Sequence, residues 1–339
     1  MAKDSINYSE KIEQILLELP DFVSDFIYNF GQVERFATKF EYCRDIRDYF
    51  RFLIYYTPEH SEKGLKELTI DDIANVEPLF INRYLTMLAG NGKDGLKMST
   101  VKRRRASISS MYSFYVANGK MKNNPVLATR PIRLPKKELI YLTDDEQALL
   151  LDTVQYGTNL PDKTLKRHNR YAERDSAMFV LLLDTGLRVS ELLGTDIRDF
   201  NLDTCSVVVV RKGGDVQNVY YSDECCSYLR EYFSTQTALF SLTDGDFPAF
   251  TTTTGNRLGV RAVETLVKKY VGACLPDKKA IISVHKLRSS FAMSFYKASD
   301  NDILLLQKRL NHASLTTTQK YATAATEREI SMRNWRQAL

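Results

Sequence analysis

The sequence predicts a mainly α-helical protein of two domains. The N-terminal one is all-helical; the second is mostly helical with a small antiparallel β-sheet. Three observations point there. Apolar residues recur at three- and four-residue spacings through most of residues 19–130 and again from about Arg261, which is the period of an amphipathic helix. The stretch CSVVVVRKGGDVQNVYYS reads instead as two β-rich runs around Gly213-Gly214, a hairpin signature. Between the helical regions, NNPVLATRPIRLPKKEL sets Pro125, Pro131 and Pro135 among basic residues. Each proline removes an N–H donor and restricts its predecessor, so this stretch is an extended basic linker.

Taken in order, the first domain spans residues 1–130, with 1–18 as a possible extension. Its helices are predicted within FVSDFIYNFGQV, EYCRDIRDYFRFLIYY, VEPLFINRYLTMLAG and STVKRRRASISSMYSFYVANG. The last of these is expected to start from Ser99 as N-cap and to stop before Gly119. Val101, Ile108, Met111 and Tyr115 form its inward stripe. Lys102, Arg103, Arg104 and Arg105 are consecutive, so they fan around most of a turn and at least two must face solvent or a partner. The linker proper covers 131–139 and the second domain 140–321. TDDEQALLLDTVQ is a helix capped by Thr143, with acids in its first turn. YGTNLPDKTLKRHNRYAER reads as a long polar loop, and RDSAMFVLLLDTG as a buried helix ended by Gly186. Residues 322–339 form a C-terminal tail in which Ile330, Met332, Trp335 and Leu339 make an apolar set, expected to dock on its own domain or on a neighbouring subunit.

Composition narrows the function classes. Hydrophobic residues make up 44 % of the 339, ordinary for a folded protein, and no apolar run approaches the roughly 18–20 residues that span a bilayer. The polar start MAKDSINYSEKIEQ is not a secretory signal, so a cytoplasmic protein is expected. Cys43, Cys205, Cys225, Cys226 and Cys274 are scattered and lack the paired spacing of a zinc site; no metal or other cofactor is expected. Charge is unevenly placed: residues 1–91 carry 10 Lys/Arg against 16 Asp/Glu, whereas 92–137 carry 12 against one, Asp94. A basic block of this kind is either a nucleic-acid footprint or a solvated face.

Four stretches carry potential chemistry. TGLRVSELL puts Arg188 just past a buried helix, and VVVVRKGGD puts Lys212 at a hairpin tip. HKLRSSFA sets His285 and Arg288 three apart, on one helical face. LNHASLTTTQKYA supplies His312 and Tyr321. In this order the stretches resemble the tyrosine recombinase family, the phage integrase and Xer group, over roughly residues 19–339. The resemblance implies Arg188 and Arg288 as phosphate-binding arginines, Lys212 as general acid, His285 as base, His312 as a phosphate hydrogen-bond donor and Tyr321 as nucleophile. Glu191 would be a salt-bridge partner behind them. Arg211 competes with Lys212, because the hairpin lacks the further basic residues and the proline usual in the family.

The chemistry suits these residue types. A phosphotyrosine conserves phosphodiester energy, so strands can be exchanged without an energy source. Guanidinium pairs stabilise the charge that builds on the phosphoryl oxygens. The resemblance further implies a site-specific recombinase or integrase acting on double-stranded DNA as a synaptic tetramer, through a 3′-phosphotyrosine and a Holliday junction. The helix with Lys102–Arg105 and the linker with Arg130, Arg133, Lys136 and Lys137 would clamp the duplex. Two other readings are a type IB topoisomerase-like relaxing enzyme and a catalytically inactive DNA-binding regulator.

Overall fold

A computed structural model describes residues 8–30, 36–90, 94–135, 138–211, 214–240, 247–312 and 314–337, with the side chains of Phe240 and of residues beyond 326 left outside the description. The chain divides into two compact units, Met1–Lys136 and Lys137–Leu339.

The first unit is helical: α1 (Tyr8–Leu16), α2 (Asp21–Asn29), α3 (Phe36–Tyr56), α4 (Ile70–Ala74), α5 (Pro78–Ala89) and α6 (Met98–Ala117). Its core is rich in aromatics. Phe26, Tyr49, Phe50 and Tyr112 are fully buried, and the phenols of Tyr49 and Tyr112 hydrogen-bond at 3.0 Å. α6 packs on α2, α3 and α5 through buried Val101, Ile108, Met111 and Tyr115. Its start differs from the expected Ser99 cap. Lys97 is the N-cap, because its carbonyl already accepts from Thr100 N and Val101 N. Residues 8–16 pack as part of this unit: Ile12, Ile15 and Leu16 of α1 are buried, their spacing giving one apolar face against α3.

The basic run on α6 meets acids from α3. Lys102 is exposed. Arg103 Nη2 donates to Asp45 Oδ1 at 3.0 Å and lies 3.2 Å from Glu41. Arg104 pairs with Asp48 at 2.8 Å. Arg105 donates to Thr129 Oγ1 at 2.8 Å and to the Val126 carbonyl at 2.7 Å. Asp45 is 1 % exposed and also accepts from Ser107 Oγ at 2.6 Å. Part of the expected linker is likewise folded. Asn124 caps a 3₁₀ turn, Pro125–Ala128, and donates to the Ser109 carbonyl at 2.9 Å and to Ser113 Oγ at 2.8 Å. Exposed chain begins at Arg130 and continues through Pro131, Arg133, Leu134 and Pro135; Lys136 and Lys137 lie outside the described residues.

The second unit comprises α7 (Asp144–Tyr156), α8 (Asp162–Asn169), α9 (Ala172–Thr185), α10 (Val189–Leu193), β1 (Phe200–Asn201), β2 (Ser206–Val210), β3 (Val216–Tyr220), α11 (Asp223–Phe240), α12 (Val260–Cys274), α13 (Val284–Ala298), α14 (Ile303–Leu310) and α15 (Leu315–Gln337). α9 is the hub, packed by α7, α11 and α13, with Ala177, Met178, Phe179 and Leu181 fully buried. The sheet is antiparallel in the order β1-β2-β3, with Ser206 opposite Tyr220 and Val210 opposite Val216. Thr143 caps α7 through a reciprocal bond pair with Glu146. A smaller core of Phe291, Met293, Tyr296, Leu306, Leu310 and Tyr321 joins α13, α14 and α15.

Two expectations need correction here, and one helix was not foreseen. The segment 156–174 is not a long loop: it contains α8, whose inward residue is a buried histidine, His168, bonded to Tyr270 Oη at 3.1 Å. A polar residue on the inner face hides such a helix from apolar periodicity. α11 escaped notice because its inner face mixes Cys225 and Cys226 with Leu229, Tyr232 and Phe233. Finally, the chain does not break after Tyr321, since α15 runs unbroken from Leu315 to Gln337. The side chains of Ile330, Met332 and Trp335, and all of Leu339, lie outside the described residues.

Replacing Arg103 with Ala removes a main counter-charge of a buried carboxylate and should destabilise the protein by about 2–3 kcal/mol. Lys102→Ala should stay within about 0.5 kcal/mol of the parent. Urea unfolding followed by circular dichroism checks both; equal effects would contradict the burial and pairing of Asp45.

Candidate active site

The site begins where α9 ends. Gly186 takes the left-handed conformation at φ +61, and a Cβ there would meet the Phe291 ring at 2.2 Å, so glycine is required twice over. The chain then turns into α10 with Arg188 as its N-cap residue. Arg188 N donates to Glu191 Oε2 at 2.9 Å and its Nη1 to Oε1 at 2.6 Å. Glu191 is buried and also accepts from Arg211 Nη1 at 2.6 Å. Burial pushes its carboxyl up, but the Arg188 amide and the two guanidinium groups outweigh this and hold it below the usual range.

α13 brings in His285 and Arg288. Arg288 is 3 % exposed, and its guanidinium donates to the carbonyls of Gly186 and Leu310, the latter at 2.6 Å. Burial, then the Arg188 charge, pulls it down to about 10. His285 lies on the exposed side of the first turn of α13. Partial desolvation, then the charges of Lys320 and Arg288, hold its imidazole below the ordinary value.

The third piece follows α14. Asn311 ends that helix in the left-handed region, which turns His312 back so that its N–H donates to the Gln307 carbonyl at 3.1 Å. His312 Nδ1 lies 2.9 Å from Thr318 Oγ1. Burial, followed by Arg288 and Lys320, lowers this imidazole to about 4. Tyr321, on α15, is 1 % exposed. Burial raises its phenol, against the lowering effects of the Ser289 hydroxyl and of Arg288.

Arg188, His285, Arg288 and His312 are therefore within electrostatic reach of one another, and Tyr321 is within reach of Arg288. Lys212 lies outside the described residues. Its neighbour Arg211 does not fit the alternative role of proton donor to a leaving group: it is 3 % exposed and already bonded to Glu191 and, through Nε, to Gln217 Oε1 at 2.8 Å. Sequence reading missed Lys320, whose Nζ stands 4.9 Å from the Tyr321 ring centroid; adjacency to Tyr321 was the only available signal. It also missed Ser289 and Thr318, whose positions only packing reveals. Among the described residues no group of three or more His, Cys, Asp or Glu could hold a metal ion. What the pocket offers chemically is concentrated positive charge, neutral imidazoles and one phenol, a fit for an oxyanion being attacked by an oxygen nucleophile.

Residues 141–328 match the phage integrase family. A tyrosine recombinase XerS of Streptococcus thermophilus is 27 % identical over 343 residues, covering 92 % of this chain and 94 % of the relative. The crystal structure of XerH site-specific recombinase bound to palindromic difH substrate, a post-cleavage complex, superposes with a TM-score of 0.64 at 18 % identity, over 95 % of this chain and 87 % of that one. A lambda integrase dimer bound to a COC′ core site gives 0.59 at 18 %, over 91 % and 94 %. At such identity the structural likeness is one of fold.

The depressed His312 predicts a pH dependence. Its folded value, about 4, lies below the ordinary 6.5, so protonation favours the unfolded chain. Its contribution to stability is whole above pH 6.5 and is lost as pH falls toward 4. NMR titration should find the His312 imidazole still neutral at about pH 5.5; a midpoint near the ordinary value would contradict the desolvated, cation-ringed setting.

Proposed function

The chain belongs to the phage integrase family, and from that premise we propose that it is a site-specific DNA recombinase that cuts and rejoins duplexes through Tyr321. The observation that carries this reading is the gathering of Arg188, His285 and His312 around Arg288, which itself acts on the buried Tyr321 of α15. Tyr321 Oη attacks the scissile phosphorus, the bond from phosphorus to the 5′ oxygen breaks, and a 3′-phosphotyrosine forms. His285 takes the phenolic proton, while Lys212 gives one to the departing 5′ oxygen. Arg188 and Arg288 hold the non-bridging oxygens, and His312 donates a further hydrogen bond. A 5′-hydroxyl from the partner duplex then displaces the tyrosine, so the number of phosphodiester bonds is unchanged and no cofactor is consumed. With Tyr321 1 % exposed, the phosphorus can approach only after α15 shifts.

Each copy has one nucleophile, and exchange between two duplexes requires four cuts. The working assembly is therefore a homotetramer on DNA, and the compartment is the cytoplasm. Affinity comes from phosphate contacts. Lys102, Arg130 and Arg133 are exposed and take this role, whereas Arg103, Arg104 and Arg105 are engaged inside the first unit. A relaxing enzyme of type IB would act on one duplex, and an inactive regulator would form no adduct; an assay with two labelled duplexes separates all three.

Tyr321→Phe should bind DNA normally yet form no covalent adduct on a nicked substrate, as read by denaturing gel. Lys212→Ala should be slow on ordinary DNA and recover on a 5′-bridging sulfur substrate, whose thiolate leaves without a proton; no recovery would remove the general-acid role. Neutralising Lys102, Arg130 and Arg133 together should lower the salt slope of binding by about 0.9 per lost phosphate contact. An unchanged slope would place these side chains off the DNA.

A further inference from the structure

Arg211 is an expensive residue to bury. Its guanidinium is held by Glu191 at 2.6 Å and by Gln217 at 2.8 Å, and its backbone N–H closes the hairpin end on Asp215 O at 2.7 Å. Yet Nη2 is buried with no hydrogen-bond partner among the described residues. A neutral side chain would fill this position without an unsatisfied charged donor, so stability alone does not account for it. The two bonded nitrogens of Arg211 face Glu191 and Gln217.

The explanation lies in what Glu191 does to Arg188. One carboxylate against one guanidinium sums to zero, and Glu191 contacts Arg188 through both backbone and side chain. Left as a simple pair, Arg188 would offer a phosphate no net charge. With Arg211 on the same carboxylate, three groups sum to +1, and the excess resides at the partly exposed member: Arg188 keeps 33 % of its side-chain surface open, against 1 % for Arg211 and 3 % for Glu191. The charge of Arg211 is also felt at Arg288 and at Arg309.

We infer that Arg211 is a positioning residue for strand cleavage, which balances and anchors Glu191 so that Arg188 presents net positive charge to the scissile phosphate. The inference rests on the recombinase reading, and it deepens that reading by assigning a further residue to the phosphate site.

The test is adduct formation by the full chain on a nicked half-site, with the scissile position either an ordinary phosphate or an uncharged methylphosphonate. Arg211→Gln should slow cleavage of the phosphate by about 10- to 100-fold, the range of one lost electrostatic contact in a site of this kind. It should slow the methylphosphonate by no more than about threefold, because that substrate carries one negative charge fewer for the site to stabilise. Glu191→Gln combined with Arg211→Gln should regain about tenfold or more over Arg211→Gln alone on the phosphate, since Arg188 is then unopposed. Equal losses on both substrates, or a double variant no faster than the single one, would overturn the inference and leave Arg211 a fold residue. Thermal melts monitor folding. If Arg211→Gln does not fold, Arg211→Lys decides: it keeps the charge and should cleave the phosphate within about fivefold of the parent, whereas a loss equal on both substrates overturns the inference. Absence of any adduct with the parent chain would refute the recombinase reading itself, which these comparisons between variants presuppose.

Discussion

The second unit depends on one buried guanidinium. Arg288 reaches from α13 to the carbonyl of Gly186, at the end of α9, and to that of Leu310, at the end of α14. Both acceptors are at helix C-termini, where carbonyls lack intrahelical partners and carry partial negative charge. Satisfying them with one planar donor fixes two chain reversals at once. Arg188 follows the first by two residues and His312 follows the second by two, while His285 sits one turn earlier on Arg288's own helix. Segments more than a hundred residues apart are thereby held to one place, and the side chain that organises them is also one of those assigned to the phosphate.

Electrostatically the site is cationic. Arg188, Arg288, Arg211 and Lys320 gather with Glu191 as the carboxylate bonded to two of them. The consequences are visible in the neighbours: both imidazoles are held in the neutral form and the phenol remains protonated. Four cations against one carboxylate leave an excess of positive charge, a setting that favours a bound anion. Burial of Tyr321 in the same small core as Phe291 and Leu310 keeps its phenol out of solvent in this arrangement, and the unbroken α15 ties its position to everything further along that helix.

The first unit uses its charges differently. Glu41, Asp45 and Asp48, on one face of α3, take up Arg103 and Arg104 of α6. Within the basic block these two arginines, with Arg105, are internal glue, whereas Lys97, Lys102, Lys120, Lys122, Arg130 and Arg133 are exposed.

By itself the sequence determined the helical character of both units, the hairpin around Gly213-Gly214, the Thr143 cap, the Gly186 stop and the motif residues Arg188, His285, Arg288, His312 and Tyr321. These are legible because periodicity, capping and turn chemistry are local, and because the motif residues keep fixed spacings within short stretches. The tertiary structure alone decided which charges meet. Asp45 and Arg103 stand 58 positions apart, and Glu191 and Arg211 stand 20 apart; no local pattern relates them. It alone showed α8 turning His168 inward, Tyr321 buried and Lys320 over its ring. The reason is physical: local rules set the shape of each helix, but a charged side chain's partner and its degree of desolvation are set by whatever packing brings within a few ångströms, and that information lies in no single segment.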